Sequence, residues 1–218
     1  MSLIDLSHAV EDGMVTFKGL PAPIVCDYWS HEESRVHYDE GTEFQIGRIE
    51  MVSNTGTYVD SPFHRFRDGK DLSQLPIEPL AGREAVVVDA EGAIAPESLD
   101  GLDLDGRAVL FRTGWDRNWR TGEYFYGHPF LTGETAEALV AAGAAIVGID
   151  SYNIDDTTGG SRPVHTTLLH AEIPIVEHLT GLGTLPARGA RFYAVPVKVK
   201  AFGSFPVRAF AELKEGRG

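Results

Sequence analysis

Four residues of this chain combine side-chain types that serve both divalent metal binding and proton transfer: Asp60, His64, His165 and Glu177. Imidazole nitrogen and carboxylate oxygen hold such an ion at about 2.0–2.2 Å, and the side chains that supply them commonly stand where strands run into loops. The first two lie in the stretch SNTGTYVDSPFHRF, Ser53 to Phe66, which also packs a Gly-Thr turn and a proline into one short span. Spacing alone leaves simpler roles open. An Asp ahead of Ser-Pro is a frequent turn former, and a lone histidine is more often a surface or satisfied core residue than a ligand. His165 and His170 are five apart, so one helical face does not carry both. His8, His31, His37, His128 and His178 have no acidic or histidine partner at an informative spacing.

The elements that must position these residues follow from apolar periodicity. SLIDLSHAVEDG opens with a short alternating run and is then broken by Gly13, Gly19, Pro21 and Pro23, which predicts a strand and an extended loop. TEFQIGRIEMVS alternates with period two around Phe44 and Ile46, which predicts a half-buried strand delivering the chain into the Ser53–Phe66 stretch, just past the strand's end. DGKDLSQLPIEPLAG reads as loop with at most a short helix. The valine-rich REAVVVDA and GRAVLFRTGW read as buried strands. Thr132 to Ala142 is the clearest helix, with Thr132 as cap, Ala136, Leu139 and Val140 at helical spacing, and Gly143 as stop. The strand AAIVGID ends in Asp150. RPVHTTLLHAEIPIVEHL supplies helical turns over Thr166 to His170 and a strand over Ile173 to Val176 that ends at Glu177, and ARFYAVPVKVKAFGSFPVRAFAEL is strand-rich.

Strands outnumber helices, and there is no repeat of 20–50 residues and no low-complexity segment. The expected fold is α/β or α+β, one domain over 1–218 with a mixed sheet. Thr113-Gly114-Trp115 follows a strand, with Trp115 either lining a pocket or buried in the core. Asp150 to Asp156 forms a polar loop after a buried strand, where sites collect in α/β folds; Asp150 or Asp155 there holds His165 or the substrate, or the loop is a solvated turn. Gly159-Gly160-Ser161 is a flexible approach to His165, without the strand-glycine-helix context of a phosphate loop.

Hydrophobic residues make up 43% of the 218 and charged residues 23%, the balance of a soluble globular protein. No apolar run of about 18 residues exists to span a bilayer. The formal charge of −13 repels phosphate backbones and anionic lipid, which disfavours nucleic acid and membrane partners and leaves a small molecule as the expected ligand. The N-terminus lacks the basic and apolar regions of a signal peptide and carries Asp5, Glu11 and Asp12, so the cytoplasm is the expected location. The single cysteine, Cys26, makes no intramolecular disulfide and is expected as a small buried hydrophobe.

Longer stretches resemble the cyclase family of metal-dependent hydrolases, which includes bacterial kynurenine formamidase and isatin hydrolase. The family's signature is His-x-Gly-Thr-His-x-Asp-x-Pro-x-His, and NTGTYVDSPFH, Asn54 to His64, aligns with it without a gap. DLSHAVEDGM, DGKDLSQLP, VLFRTGW, AAIVGIDSYNID and HTTLLHAEIPIVEHL continue the likeness in order along nearly the whole chain. The resemblance implies a strand-rich α/β domain of the swivelling β/β/α type and a homo-oligomer, dimer or tetramer. It implies Asp60, His165 and Glu177 as metal ligands, His64 as the acid/base, and Phe17 as an aromatic packing on substrate. Asn54 and Tyr58 stand where relatives have two histidines that bind one metal of a pair. An amide oxygen is a weak ligand and a phenol must lose a proton of pKa about 10, so that first metal place is expected to be vacated and these two residues to face the substrate instead. What remains suits one divalent ion, zinc or manganese. The implied reaction is hydrolysis of a small amide, formamide or lactone. A metal-free lyase or cyclase of the same fold and a non-catalytic binding protein stay open beside it.

Overall fold

The computed structural model describes residues 2–213. In chain order the strands are β1 (Ser2–Asp5), β2 (Ile24–Trp29), β3 (Ile46–Glu50), β4 (Tyr58–Asp60), β5 (Ala81–Asp89), β6 (Ala93–Ile94), β7 (Ala108–Arg112), β8 (Phe130–Leu131), β9 (Ile146–Ile149), β10 (Ile175–Glu177), β11 (Ala190–Tyr193), β12 (Ser204–Pro206) and β13 (Phe210–Leu213). The α-helices are α1 (His31–Ser34), α2 (Gly133–Ala141) and α3 (Pro163–His170). Nine strands join in one mixed sheet, ordered β1-β13-β11-β5-β7-β9-β10-β4-β12. Its parallel middle, β5-β7-β9-β10, comes from the continuous β-branched runs, as a stretch buried on both faces requires. The flanking strands pair antiparallel.

Each face of the sheet has its own core. Val59, Val87, Leu110 and Val176 pack with Leu6, Leu179 and Phe192 on one side. Val86, Val109, Phe111, Val147 and Ile175 pack under α2 and α3, against Leu139, Val164 and Leu168, on the other. Alternation along a strand then puts Tyr58 and Asp60 of β4, and Glu177 of β10, on the α3 side. Among the described residues, no helix is long and apolar enough to cross a membrane.

The Ser53–Phe66 stretch lies past the end of β3 as expected, and it holds a strand not read in the sequence: Tyr58–Asp60 is three residues long and fully buried between β10 and β12. Three expectations change. β3 is not half-buried. Among the described residues it pairs with β2 alone, in a two-stranded hairpin, and Phe44, Ile46 and Ile49 are exposed, as is Cys26 on β2. Finally, α3 begins at Pro163 rather than Thr166 and takes His165 into its first turn. Pro163 suits that position because its missing N–H would have had no helical partner.

Candidate active site

The register of β4 with its two neighbours brings the site together. Asp60 pairs across to Ile175 on β10 and to Ser204 on β12, and Tyr58 pairs with Glu177. The chain reaches β4 through Gly56, whose φ of +65° belongs to the left-handed region and whose N–H is held by Thr16 Oγ1 at 2.8 Å. After β4, Pro62–His64 makes a 3₁₀ turn that carries His64 back beside Asp60. β12 approaches that turn closely: a Cβ on Gly203 would stand 2.6 Å from His64 Cα, so only glycine lets Ser204 reach the site. Asp71 secures this approach by accepting from Ala201 N at 2.6 Å.

The two oxygens of Asp60 face different partners. Ser204 donates its hydroxyl to Oδ1, and Ser204 Oγ lies 2.9 Å from His64 Nδ1. A serine has one proton to give, so with that proton on Asp60 the second contact must be filled by N–H from His64 Nδ1. His64 then keeps a free lone pair on Nε2. Oδ2 of Asp60 is buried with no hydrogen-bond partner among the described residues. It lies 3.7 Å from His165 Nε2, which is 3.8 Å from Glu177 Oε1. These gaps are too long for hydrogen bonds and near the roughly 3.4 Å separation of ligands that surround an ion tetrahedrally at about 2.1 Å. The compact group whose ligand atoms all lie within 4.8 Å of one another is Asp60, His64 and His165; it includes His64 and not Glu177. The donor set therefore fits a divalent cation.

Each of these side chains is fixed from behind. His165 Nδ1 meets Asp155 Oδ2 at 2.6 Å, and the same carboxylate accepts the α3 amides of Val164 at 2.8 Å and His165 at 3.0 Å. A carboxylate behind a ligating imidazole is the arrangement that aims the other nitrogen at a metal. Glu177 accepts Ile154 N at 2.7 Å and the Tyr58 hydroxyl at 2.5 Å, with Asn153 Nδ2 at 3.5 Å. Burial, then the charges of Glu177 and Asp60, hold the Tyr58 phenol well above its ordinary pKa, so it stays protonated and donates. Burial would lower His165, but Asp155, Asp60 and Glu177 raise it to about 10. Asp60 is lifted by burial and pulled below the ordinary carboxylate range by His64, His165 and Ser204. Glu177 is raised by burial and by Asp60, against the pull of His165.

A cavity of about 720 Å³ opens over these groups. Phe17, Asn54, Tyr58, His64, His165 and Glu177 all line it, so of the residues the family resemblance implied only Asp60 does not meet the cavity wall, and it lies fully buried behind it. Phe17 stacks on Tyr152 with ring centroids 4.8 Å apart. Trp115 does not line the cavity; its Nε1 donates to Tyr124 O at 3.0 Å. Of the two loop carboxylates, Asp155 holds His165, whereas Asp150 fastens the turn after β7 through Thr113 and Gly114. Histidines passed over in the sequence gain partners in space, among them His128, whose Nε2 lies 3.0 Å from Thr157 Oγ1. His178 is buried, hydrogen-bonded to Tyr124 at 2.8 Å and pushed down to about 3 by burial and by His8, and His31 lies 3.9 Å from Glu43. Ser204 carries no signal in the sequence, because its partner His64 is 140 residues away.

A family model described as "Putative cyclase" matches residues 4–156. The chain is similar to a kynurenine formamidase of Salinibacter ruber, 30% identical over 216 residues that cover 96% of each chain. Its fold matches a solved isatin hydrolase bound to the product analogue thioisatinate, with a TM-score of 0.83 at 19% identity over 98% of this chain and 93% of that one. A solved protein of Bacillus stearothermophilus, described as a predicted metal-dependent hydrolase, is 25% identical with a TM-score of 0.76, over 96% of this chain and 97% of that one.

Proposed function

The chain belongs to the cyclase family, and from that membership we propose that it is a metal-dependent hydrolase of a small amide, formamide or lactone. The observation that carries this reading is the buried Oδ2 of Asp60, without a hydrogen-bond partner among the described residues, facing His165 Nε2 with Asp155 behind that imidazole. Asp60, His165 and Glu177 would hold one divalent ion, zinc or manganese. When bound, such an ion polarises a scissile carbonyl and lowers the pKa of a water.

The chain's own groups do the rest. His64, with Nδ1–H directed to Ser204, offers its Nε2 lone pair to the cavity, takes a proton there and returns it to the leaving nitrogen or oxygen. Tyr58 holds Glu177 in place, and Phe17 supplies an apolar wall for the substrate's body. Self-association into a dimer or tetramer is part of the proposal. The exposed apolar side chains of the β2–β3 hairpin, among them Tyr28, Phe44 and Ile49, are surface that such an assembly would cover.

The test is metal analysis with turnover. Protein purified without chelator should carry about one equivalent of a transition metal, or take it up on soaking, and hydrolyse formanilide or a simple aryl lactone. Less than about 0.2 equivalents before and after soaking would overturn the metal site. Turnover that persists after complete chelation would point to the metal-free lyase or cyclase instead.

A further inference from the structure

Two arginines at the mouth of the cavity keep part of their hydrogen-bonding capacity unused. Arg65, exposed in the turn after His64, donates from Nε to Thr166 Oγ1 at 3.1 Å, and its terminal amino groups have no partner among the described residues. Arg162, half-buried at the start of α3, spends Nη1 on the carbonyls of Asp156, Gly159 and Ser161 at 3.2, 2.9 and 2.7 Å. Its Nη2 and Nε are unpartnered among the same residues. Thr166 links the pair, since its hydroxyl accepts from Arg65 and donates to the Arg162 carbonyl at 2.7 Å.

Neither guanidinium forms an ion pair with a carboxylate among the described residues, although the chain holds 32 Asp and Glu against 19 Lys and Arg. Arg107, Arg112 and Arg208 are each paired with an aspartate or glutamate; other arginines, Arg83 among them, also lack such a pair among the described residues, and what sets Arg65 and Arg162 apart is that both line the cavity. The cavity is therefore polarised along its depth. Its floor is Glu177 and His165, with the Asp60 carboxylate buried behind them, Phe17 and Leu20 form an apolar stretch, and Arg65 and Arg162 form a cationic rim.

We infer that Arg65 and Arg162 are a specificity pair for a carboxylate carried by the substrate, remote from the bond that is cleaved. The inference rests on the hydrolase reading for the placement of that bond at the floor. A planar guanidinium with free terminal donors matches a carboxylate in a way an ammonium does not. Arg65 presents its free donors from the exposed rim. Arg162 is oriented by three carbonyls, so its remaining donors are held at the cavity edge with little further ordering needed.

Two measurements test this on the full chain. The first compares kcat/KM for formanilide, which is neutral, with 3- and 4-formamidobenzoate. The parent should prefer an anionic substrate by about tenfold or more, and in Arg65→Gln and Arg162→Gln that ratio should fall toward one, through KM rather than kcat. Arg65→Lys, which keeps charge but loses the fork, should give an intermediate ratio. The second is calorimetric binding of 3-phenylpropanoate against 3-phenylpropanamide. The carboxylate should bind more tightly to the parent, and Arg65→Gln should remove most of the difference. Arg65 makes one side-chain hydrogen bond at the surface, so its variant stays informative even if Arg162→Gln loosens its loop.

Turnover of formanilide without any preference for the anionic substrates, or with a preference intact in both variants, overturns the pair and leaves the hydrolase reading standing. Carboxylate binding that survives in Arg65→Gln and Arg162→Gln likewise overturns it, by placing the carboxylate elsewhere. No turnover of any amide, formamide or aryl lactone, with 3-phenylpropanoate binding still lost in the arginine variants, overturns the hydrolase reading and keeps the pair.

Discussion

Asp155→Asn separates the metal reading from a structural cluster because it reverses the direction of one hydrogen bond. Asp155 Oδ1 accepts the amide of Val164, and Oδ2 accepts both the amide and the ring Nδ1 of His165. An asparagine can keep only one oxygen there. With that oxygen on Val164, its NH₂ faces His165, and the imidazole must turn its Nδ1 lone pair toward the amide. The remaining ring proton then lies on Nε2, the atom that faces Asp60 and Glu177 and would have to accept the ion. Loss of an outer carboxylate of this kind costs about 10- to 100-fold in metal affinity, which at about 1.4 kcal/mol per decade is roughly 1.4–2.7 kcal/mol. The donor left facing the His165 amide adds about 1–3 kcal/mol of instability. Competition against a chelator of known affinity measures the first quantity, and urea unfolding of the metal-free variant measures the second. A folded Asp155→Asn protein whose zinc and manganese affinities stay within about twofold of the parent refutes the assignment of His165 as a ligand.

Other outcomes follow from the same geometry. His64→Gln should lower kcat by about 10²- to 10⁴-fold while metal content, read by elemental analysis, stays at the parent value. A fall in both together would make His64 a ligand rather than the proton carrier. Asn54→His with Tyr58→His should raise the bound metal from about one to about two equivalents per chain, at the expense of the Tyr58–Glu177 bond, worth about 1.5–3 kcal/mol; an unchanged stoichiometry would show that the vacated place has closed. His178, buried and lowered to about 3, is neutral in the folded chain. Its folded value lies below the unfolded value of about 6.5, so the stability it contributes is present above that value and is lost as pH falls toward 3. Between pH 7 and pH 5 the loss is about 2 kcal/mol, and His178→Gln should flatten that part of the urea-midpoint profile.

The parts of the fold that could be read in the sequence are those whose signal is local. β5, β7 and β9 carry short apolar runs, AVVV, AVLF and IVGI, and α2 carries its own cap at Thr132 and its own stop at Gly143. Alternation in β3 was equally visible, but period two says only that a strand has two faces, not that anything covers either one. β4 is three residues long, too short to show a period at all, and its burial comes from neighbours 115 or more residues downstream in β10 and β12. The start of α3 was hidden for a related reason: the carboxylate that receives its first amides is Asp155, outside the window in which a capping residue is sought. The site residues Asp60, His64, His165 and Glu177 could be named because they fall in stretches that resemble the family. Ser204, Arg65 and Arg162 lack such a marker, and only the sheet register and the turn after β4 bring them to the cavity.

Asp60 couples what would otherwise be two independent devices. Its Oδ2 points to His165 and Glu177, the side on which an ion fits, and its Oδ1 takes the Ser204 proton, which obliges His64 to present N–H at Nδ1 and a lone pair at Nε2. The carboxylate that would hold the ion thus also sets the tautomer of the base. Asp60→Asn disturbs both whichever way its amide turns. With oxygen toward Ser204, an NH₂ faces the ion; with NH₂ toward Ser204, the serine turns its proton to His64 and the histidine loses the tautomer that leaves Nε2 free. Metal binding and proton transfer should therefore fail together at Asp60 and separate at His64. A cluster kept only for packing would show neither pattern, because its substitutions would be felt in stability alone.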